Sequence, residues 1–457
     1  MLILDLYVAW LEDPALSIGV AMSTNYWDTT SRYNALNISK QIIPIIQRLQ
    51  EVGLLDMAKG SYAGPWAKGN RNTRIRASTA LVAIFEGTKV TRDEIKRIDN
   101  EECIVLKDGT EFGDGSKVRE YEDTDATNLM RRELQAYNLL LVNTFIDIPT
   151  LETATVERAV TAGKDTGKTV IQWLDHHHHF MRRIFSRGSW DLNGRFYGGW
   201  WQLIPSVLRK EIYINDTPTV EVDFKGLHIS ILSAEKGVVI EGDPYTLDRG
   251  LIAGAPEELQ RSMVKQLVLT ALNAKDRRSA FQSFRDGFPA SHVGKVMTNV
   301  ELNMVLDAFV GKHPHLEDLV CADQGIRLMN VDARIAEIVH RSFTRLGIPV
   351  LSVHDSFIVD YTHVRNLKAA MRAASLAVVG RVLEVSHSGM GLDEMRADHE
   401  DEYMINDFIA WRQAPRTAGY LKRLAGWEAR VGKVIVPYDR VGRGRIGGEG
   451  RRSVESS

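Results

Sequence analysis

Cysteine is scarce in this chain, whose 457 residues include only Cys103 and Cys321, far apart in the sequence. Two isolated cysteines exclude a disulfide framework and a cysteine-built zinc site, and they fit a reducing compartment. Long apolar runs are also absent, so no segment is predicted to span a bilayer. The opening stretch, MLILDLYVAWLEDP, has acids inside its apolar run and no basic residue before it, unlike a signal peptide. We therefore expect a cytoplasmic protein with no membrane partner.

The chain also lacks a large net charge. Its 57 Lys and Arg residues nearly balance its 59 Asp and Glu residues, for a formal charge of -2. A polyanion would therefore be bound by local basic patches and not by the field of the whole protein. With 44% hydrophobic and 25% charged residues, the composition is that of a globular protein, and the length suffices for two or three domains.

The first 90 residues have the order of elements typical of a winged helix. The stretch ISKQIIPIIQRLQEVGLL predicts a helix that ends at Gly53, and LLDMAKG and NTRIRAS predict short strands on either side of a loop. Basic and aromatic side chains suited to phosphate contact and base stacking lie in or beside this loop: Lys59, Tyr62, Trp66, Lys68, Arg71, Arg74 and Arg76. Nucleic-acid binding and a purely structural hairpin both remain open for this module.

Residues 91–185 are predicted to form a hairpin and a helical connector, and they contain two patterns that imitate functional sites. GKDTGKT resembles a phosphate-binding loop, but Gly163 lies one residue too close to Gly167. The run from His176 to His179 would point around the whole circumference of a helix and so could not converge on one metal ion. We interpret both as structural segments.

Two aspartates lie where strands end. In TVEVDFKGLHISILSAEKG, an alternating strand pattern reaches Asp223 just before a helical pattern begins, and PVLSVHDSFIVDY places Asp355 at a tight turn between two strands. Two carboxylates among apolar residues on adjacent strands would repel each other. A pair of Mg²⁺ ions would relieve that cost, and such ions about 4 Å apart suit phosphoryl or nucleotidyl transfer.

A basic helix face is predicted between the two aspartates. ELQRSMVKQLVLTALNA reads as one helix in which every fourth residue falls on the same face, namely Arg261, Lys265, Leu269 and Asn273. Two cations one turn apart are suited to binding a triphosphate. The alternative is a solvated basic face with no ligand.

Taken together and in order, these segments resemble the palm and fingers of family A DNA polymerases and of their relatives, the phage-type single-subunit RNA polymerases. EVDFKGLHISIL and VHDSF are similar to the two palm motifs, RSMVK to the fingers helix, and NGRFYGGWWQLIP with Arg209 to a segment that contacts primer and template. The resemblance covers about residues 190–362. It implies an α/β (α+β) palm and fingers at 186–400, after a winged-helix module at 1–90 and a thumb-like connector at 91–185. A C-terminal helix and a Gly/Arg-rich tail, a weak electrostatic tether for nucleic acid, are predicted for 401–457.

The resemblance also implies roles for individual residues. Asp223 and Asp355 would bind two Mg²⁺ ions, while Arg261 and Lys265 would hold the triphosphate, with Lys265 as the general acid for pyrophosphate. His354 would position the primer terminus. Three further side chains would contact the DNA template-primer: Arg195, Gln202 and Arg209. The expected substrates are nucleoside triphosphates, and the expected state is a monomer.

The residues give conflicting indications about selection between deoxyribose and ribose in the incoming nucleotide. His228 occupies the position where DNA polymerases carry a bulky Glu and RNA polymerases carry Gly, and Asn273 replaces an aromatic of the fingers helix. His-Asp-Ser, in contrast, is the sequence that the second palm motif has in the RNA polymerases. We favour a small DNA polymerase of a mobile element or prophage, without proofreading, since no exonuclease carboxylate set is visible in the first 185 residues. The alternatives are a single-subunit RNA polymerase acting on a DNA template alone and a catalytically inactive nucleic-acid-binding replication protein.

Overall fold

A computed structural model describes residues 1–61, 71–109, 117–159, 169–387 and 412–436, together with positions 391 and 406. The chain divides into two compact units, Met1–Glu102 and Cys103–Ser457. Both contain helices and small sheets, so the architecture is mixed α+β. The predicted division into four domains stays a prediction.

The first unit is built around a small antiparallel sheet. Its elements are α1 (Leu2–Glu12), β1 (Ile18–Val20), α2 (Ile42–Glu51), β2 (Leu55–Ala58), β3 (Thr73–Ala77) and α3 (Thr79–Glu86). The strands are ordered β1-β3-β2, and Ile75 at the centre of β3 is fully buried, with Leu6 and Ile46 from the helices in the same core. Gly53, with φ of 77°, follows α2 at the predicted stop. Residues 62–70 of the predicted wing lie outside the described residues, and the winged-helix assignment stays a prediction.

The second unit alternates strands and helices. In chain order it contains β4 (Ile104–Leu106), α4 (Asp125–Val142), β5 (Ile146–Asp147), β6 (Thr155–Ala159), β7 (Thr169–Trp173), β8 (Arg182–Ser186), β9 (Ser189–Tyr197), α5 (Ser206–Arg209), β10 (Tyr213–Ile214), β11 (Thr217–Phe224), α6 (Leu227–Glu235), α7 (Glu257–Asn273), α8 (Arg277–Asp286), α9 (Val293–Val296), α10 (Asn299–Lys312), α11 (Gly325–Leu346), β12 (Leu351–Val353), β13 (Ser356–Asp360), α12 (Val364–Val379), β14 (Val385–His387) and α13 (Ala418–Val431).

The central sheet of this unit carries both aspartates. Its strands are ordered β12-β13-β11-β10-β5, and β14 pairs with β11. Every residue of β13 is buried, because α12 packs against β13 and β11 on one side and the strand is flanked by two others. Phe357, Ile358 and Val359 are consecutive and buried, so both faces of β13 contribute to the core.

A second sheet stands beside the first. It has the order β4-β8-β9, and α11 packs along β9. Trp200 and Trp201 follow β9 and are fully buried, and Trp201 donates its indole N–H to the carbonyl of Ser352 at 3.1 Å. This hydrogen bond ties the end of β9 to β12. Residues of the predicted connector also pair with later strands, as β5 does with β10.

The remaining sequence patterns fall as follows. His176–His179 form a short 3-10 helix in which His179 is buried against the carbonyl of Leu141, in keeping with a structural segment. Residues 163–168 of the segment that resembles a phosphate-binding loop, and the Gly/Arg-rich tail from 437 onward, lie outside the described residues. Within the part of the chain that the structure describes, no helix is long and apolar enough to cross a membrane.

Candidate active site

The two predicted carboxylates come from neighbouring strands of the central sheet. Asp223 is the penultimate residue of β11 and pairs with Ser356, the first residue of β13. Asp355 immediately precedes Ser356, in the turn that joins β12 to β13. After β11 the chain turns sharply at Gly226, whose φ of 54° lies in the left-handed region, and α6 begins at the next residue. The turn leaves Asp223 near the carboxyl end of β11, where it pairs with Ser356 on one side and with Ser386 of β14 on the other.

The turn that carries Asp355 contains an unusual backbone conformation. Val353 pairs with Ser356, so the loop consists of His354 and Asp355 alone, and His354 has φ of 58°. A positive φ at this position of a two-residue hairpin favours glycine, and a histidine held there costs about 1–3 kcal/mol. The side chain is retained at this cost, which marks the turn as a functional candidate.

Burial and repulsion disturb the ionisation of Asp223. Its pKa is raised to about 7, first because burial disfavours the charged carboxylate and then because Asp355 carries a like charge nearby. Lys265 acts in the opposite direction and lowers this pKa. The Oδ1 atom of Asp223 is buried and has no hydrogen-bond partner among the described residues. A buried carboxylate oxygen without a partner is the feature that a cation would correct.

The basic helix face and the two carboxylates line a single cavity of about 680 Å³. All four residues of the predicted face of α7 line it, and so do Arg195 and His228, which the sequence had also singled out. The predicted side chains at the cavity are therefore Arg195, Asp223, His228, Arg261, Lys265, Leu269, Asn273 and Asp355. Lys265, Leu269 and Asn273 also line a second cavity, of about 760 Å³. The side-chain amide of Asn273 donates to the carbonyl of Leu269 at 2.7 Å.

Arg261 and Lys265 differ in their surroundings. Arg261 forms an ion pair with Asp243, which also lines the cavity. The ammonium of Lys265 lies 5.9 Å from the ring centroid of Tyr245. Tyr245 is buried, and burial raises the pKa of its hydroxyl, a shift to which the charges of Asp243 and Asp355 add. Lys265 thus presents its charge to the cavity, whereas Arg261 has an anionic partner that a phosphate would have to replace.

His228 belongs to a network with two other residues. Its Nε2 lies 3.2 Å from Oδ2 of Asp332 and 3.3 Å from Nη2 of Arg195. Arg195 in turn donates from Nε to both carboxylate oxygens of Asp332, at 3.0 and 2.9 Å, and pairs with it through Nη2 as well. Burial opposes the charged form of Arg195, but the Asp332 carboxylate outweighs it and the pKa of the guanidinium lies above its usual value.

The remaining predicted contacts are engaged within the protein. Arg209 forms two hydrogen bonds of 3.2 Å with Glu221, whose Oε1 also accepts from the hydroxyl of Ser356 at 2.6 Å. Gln202 donates to the carbonyls of Phe196 and Ser352 at 2.9 and 3.0 Å and accepts from Gly198 N–H at 3.1 Å. Both side chains support the strands beneath the carboxylates, and their contact with template-primer stays a prediction.

His354 does not line the cavity and packs against Tyr197. Its ring meets that of Tyr197 edge to face, with centroids 5.5 Å apart, and its Nδ1 is buried without a partner in the described part of the chain. Burial lowers the pKa of the imidazole, and the positive charge of Arg195 lowers it further. The neutral ring therefore offers an unused nitrogen beside the strands that carry the carboxylates, and its role at the primer terminus stays a prediction.

Four residues of this region were not singled out by the sequence: Glu221, Asp243, Tyr245 and Asp332. Glu221 had a readable signal, because it lies two positions before Asp223 and so shares its face of the strand. Asp332 had none, because it lies on α11 and its partner Arg195 is 137 residues away in the sequence.

The donor set fits a magnesium site that is completed by substrate. Among the described residues, no group of three or more His, Cys, Asp or Glu side chains gathers as metal ligands. Asp223 and Asp355 together supply carboxylate oxygens, one of them partnerless. Mg²⁺ is commonly held by one or two carboxylates together with water and substrate phosphates, so two carboxylates at an open cavity are a sufficient set.

Of three comparisons with known proteins, the one with solved structures gives matches. No family model matches the chain, and no curated protein matches it. A solved structure, the POL domain of Pol1 from M. smegmatis in complex with DNA primer-template and dNTP, matches with 13% sequence identity and a TM-score of 0.28. The match covers 46% of this chain and 46% of that one, so this chain spans less than half of that domain.

Proposed function

We propose that this chain is a template-directed nucleotidyltransferase that extends a DNA primer with deoxynucleoside triphosphates. One observation carries the proposal: Asp223 and Asp355, brought together by the pairing of two strands, line the same cavity as Arg261 and Lys265 of a facing helix. Carboxylates that hold cations and basic side chains that hold a triphosphate are the two halves of a nucleotidyl-transfer site.

The reaction assigns a task to each side chain. The 3′-hydroxyl of the primer loses its proton to water and its oxygen bonds to the α-phosphorus, while the bond from that phosphorus to the bridging oxygen breaks and pyrophosphate departs. Asp223 and Asp355 would hold Mg²⁺, which when bound stabilises the charge on the attacking and leaving oxygens. Arg261 would exchange Asp243 for a phosphate oxygen. Lys265 would donate a proton from Nζ to the departing pyrophosphate.

The surroundings of Asp223 support this assignment. A carboxyl whose pKa is about 7 in the absence of metal is half protonated at neutral pH. A bound divalent cation favours the carboxylate, because its positive charge replaces the stabilisation by water that burial has removed. The free Oδ1 is the atom available to it.

A primer-extension assay tests the proposal. The full chain is incubated with a primed DNA template and either dNTPs or NTPs, with Mg²⁺ or with EDTA. We expect extension that requires Mg²⁺, uses dNTPs and is lost in Asp355→Ala. Synthesis from NTPs alone would place the chain with RNA polymerases. Binding of primer-template without any synthesis, by a chain with a folded circular-dichroism spectrum, would overturn the enzymatic proposal.

A further inference from the structure

Asp332 is a buried acid that touches two residues of the cavity without lining it. The residue is 3% exposed and lies on α11, where that helix packs along β9. Its partners, Arg195 of β9 and His228 of α6, both line the cavity, whereas Asp332 does not. It therefore stands behind the two side chains that face a ligand, and it contacts both of them.

Asp332 holds the His228 ring through contacts at a single ring nitrogen, Nε2. Nε2 is 3.2 Å from the Asp332 carboxylate and 3.3 Å from the Arg195 guanidinium. In the tautomer with a proton on Nε2, the ring donates to Asp332. In the other tautomer, Nε2 accepts from Arg195, which Asp332 itself holds through two nitrogens. In either state the orientation of the imidazole depends on Asp332.

The fold gives this orientation a direct consequence at the cavity. His228 lies five residues beyond Asp223, on the first turns of the helix that leaves the strand carrying that carboxylate. A deoxyribose and a ribose differ by one hydroxyl, so a side chain that separates them sterically has to stay in place. An imidazole free to rotate to another rotamer would relieve the clash with the hydroxyl.

We propose that Asp332 is the positioning residue for sugar selection, acting through His228. The inference rests on the proposed nucleotidyl transfer and extends it to a residue that never contacts the nucleotide. Asp332 holds the imidazole against the cavity wall by its hydrogen bond to Nε2 and by fixing Arg195 beside it. Without this carboxylate the ring is no longer held, and the pocket admits a 2′-hydroxyl.

The test measures the ratio of kcat/KM for a dNTP to kcat/KM for the matching NTP on one primed template. We expect Asp332→Asn to lower this ratio roughly tenfold and His228→Gly to lower it at least as much. Asp332→Glu keeps the buried negative charge opposite Arg195 but displaces the carboxylate by one methylene, so it guards against loss of folding and should also lower the ratio. In the His228→Gly background, Asp332→Asn should have no further effect on selectivity, because the side chain through which it acts is gone.

Asp147 offers a matched control. It is 2% exposed, its carboxylate pairs with Arg423 at 2.7 and 3.1 Å, and it lies on β5 at the opposite edge of the central sheet. Asp147→Asn thus breaks a buried acid–arginine pair without touching the cavity, and it should leave the selectivity ratio unchanged. A change equal to that of Asp332→Asn would show a general effect of lost stability and would overturn the inference.

Other outcomes separate this inference from the proposed function. If wild type synthesises DNA and His228→Gly lowers the ratio, while folded Asp332 variants keep the wild-type ratio within twofold, the inference is wrong and the proposed function stands. Fully additive effects of the two substitutions would also contradict it. Failure of both Asp332 variants to fold would assign the residue to structure alone. A folded wild type that incorporates no nucleotide would overturn both proposals.

Discussion

Asp223 lies directly opposite Ser356 in the antiparallel pair of β11 and β13, and Asp355 is the residue next to Ser356. Residues that face each other in such a pair have Cβ atoms about 4.5–5.5 Å apart, so the ladder brings Asp223 to the end of the sheet where Asp355 lies, and the charge of Asp355 raises the pKa of Asp223. Their proximity thus depends on backbone hydrogen bonds and on the burial of β13, not on flexible side chains. This arrangement underlies the first prediction.

Replacing either Asp223 or Asp355 with alanine should abolish the metal-dependent part of catalysis. We expect a loss of roughly a thousandfold or more in the rate of nucleotide incorporation, because several kcal/mol of charge stabilisation would disappear. Single-turnover primer extension is the measurement. Asp318→Ala is the control, since Asp318 is an exposed acid that pairs with Lys236 outside the cavity. An Asp223 variant that retains Mg²⁺-dependent activity contradicts the site.

The same substitutions should leave the fold intact, and Asp223→Asn should stabilise it in EDTA. The folded carboxyl keeps its proton up to a pH of about 7, whereas the unfolded one loses it near 3.8. The folded state therefore binds more protons between these values and loses stability as the pH rises through them. Thermal unfolding should show that Asp223→Asn raises Tm more at pH 8 than at pH 5. A lower Tm at pH 8 would show that the carboxylate is already compensated by the protein.

Lys265→Ala should weaken nucleotide use far more than DNA binding. The ammonium faces phosphate charge that grows as the bond to pyrophosphate breaks, so kcat/KM for dNTP should fall while the Kd for primer-template changes little. Kinetics and fluorescence anisotropy on the same preparation measure the two effects. Lys236→Ala, which removes an exposed lysine outside the cavity, should alter neither. Equal losses in both quantities would make Lys265 a DNA-backbone contact.

His228→Gly should relax the choice of sugar. Wild type is expected to prefer dNTPs because the imidazole excludes a 2′-hydroxyl, and glycine leaves that space open. Competition between a dNTP and the matching NTP at one template position gives the preference directly. If wild type prefers NTPs and His228→Gly erases that preference, the histidine reads the ribose and the protein acts as an RNA polymerase.

Neutralising the basic strand of the first unit should reduce the salt dependence of DNA binding. Arg71 and Arg74 are exposed beside or on β3, and each phosphate that the protein no longer neutralises should lower the slope of log K against log salt by about 0.9. Arg71→Gln with Arg74→Gln is compared with wild type by anisotropy across a salt series. Arg97→Gln, outside this strand and paired with Glu101, is the control. An unchanged slope would return this unit to a structural role.

His340→Phe should make the protein more resistant to acid. The His340 ring is stacked on Tyr137 with centroids 4.2 Å apart, and neither ring nitrogen has a partner among the described residues. Burial lowers the pKa of His340 to about 3, with a further contribution from Arg183. Below about pH 6.5, His340 takes up a proton in the unfolded chain but not in the folded chain. The stability that this histidine contributes is therefore complete above that pH and falls as the solution becomes more acidic.

The measurement for His340 is the free energy of unfolding in urea at pH 8 and pH 5. Phenylalanine preserves the aromatic contacts and has no proton to gain, so the difference between the two pH values should shrink by about 1–2 kcal/mol. His292→Gln, at a partly exposed histidine that caps α9, should leave the difference unchanged. If His340→Phe keeps the full difference, other groups cause the acid sensitivity.

The sequence predicted those parts of the site that leave a local pattern. Asp223 lies at the end of an alternating strand pattern, Asp355 lies in a tight turn, and Arg261 and Lys265 are one helical turn apart. The structure brings all four residues to one cavity. Asp332 is different, because an acid within an amphipathic helix reads as a surface residue until the partner strand is known. Its burial depends on Arg195, and a pairing over 137 residues has no signature in either segment.

The resemblance assigned Gln202 and Arg209 to nucleic acid, and that assignment stays a prediction, while the structure adds internal hydrogen bonds for both side chains. These bonds could not be predicted, because a motif specifies a residue type but not whether a neighbour such as Glu221 is present to bind it. The first compact unit ends at Glu102, and the predicted domain boundary at 90 stays a prediction.

The left-handed backbone of His354 makes its turn a place where selection for folding and selection for chemistry oppose each other. Glycine would release the strain, and asparagine or aspartate would reduce it, yet each removes the imidazole. A library of variants screened only for resistance to heat should therefore become enriched in these residues at position 354. A library screened for synthesis should keep histidine, and a position at which the two populations diverge is one where the protein gives up stability to retain a side chain.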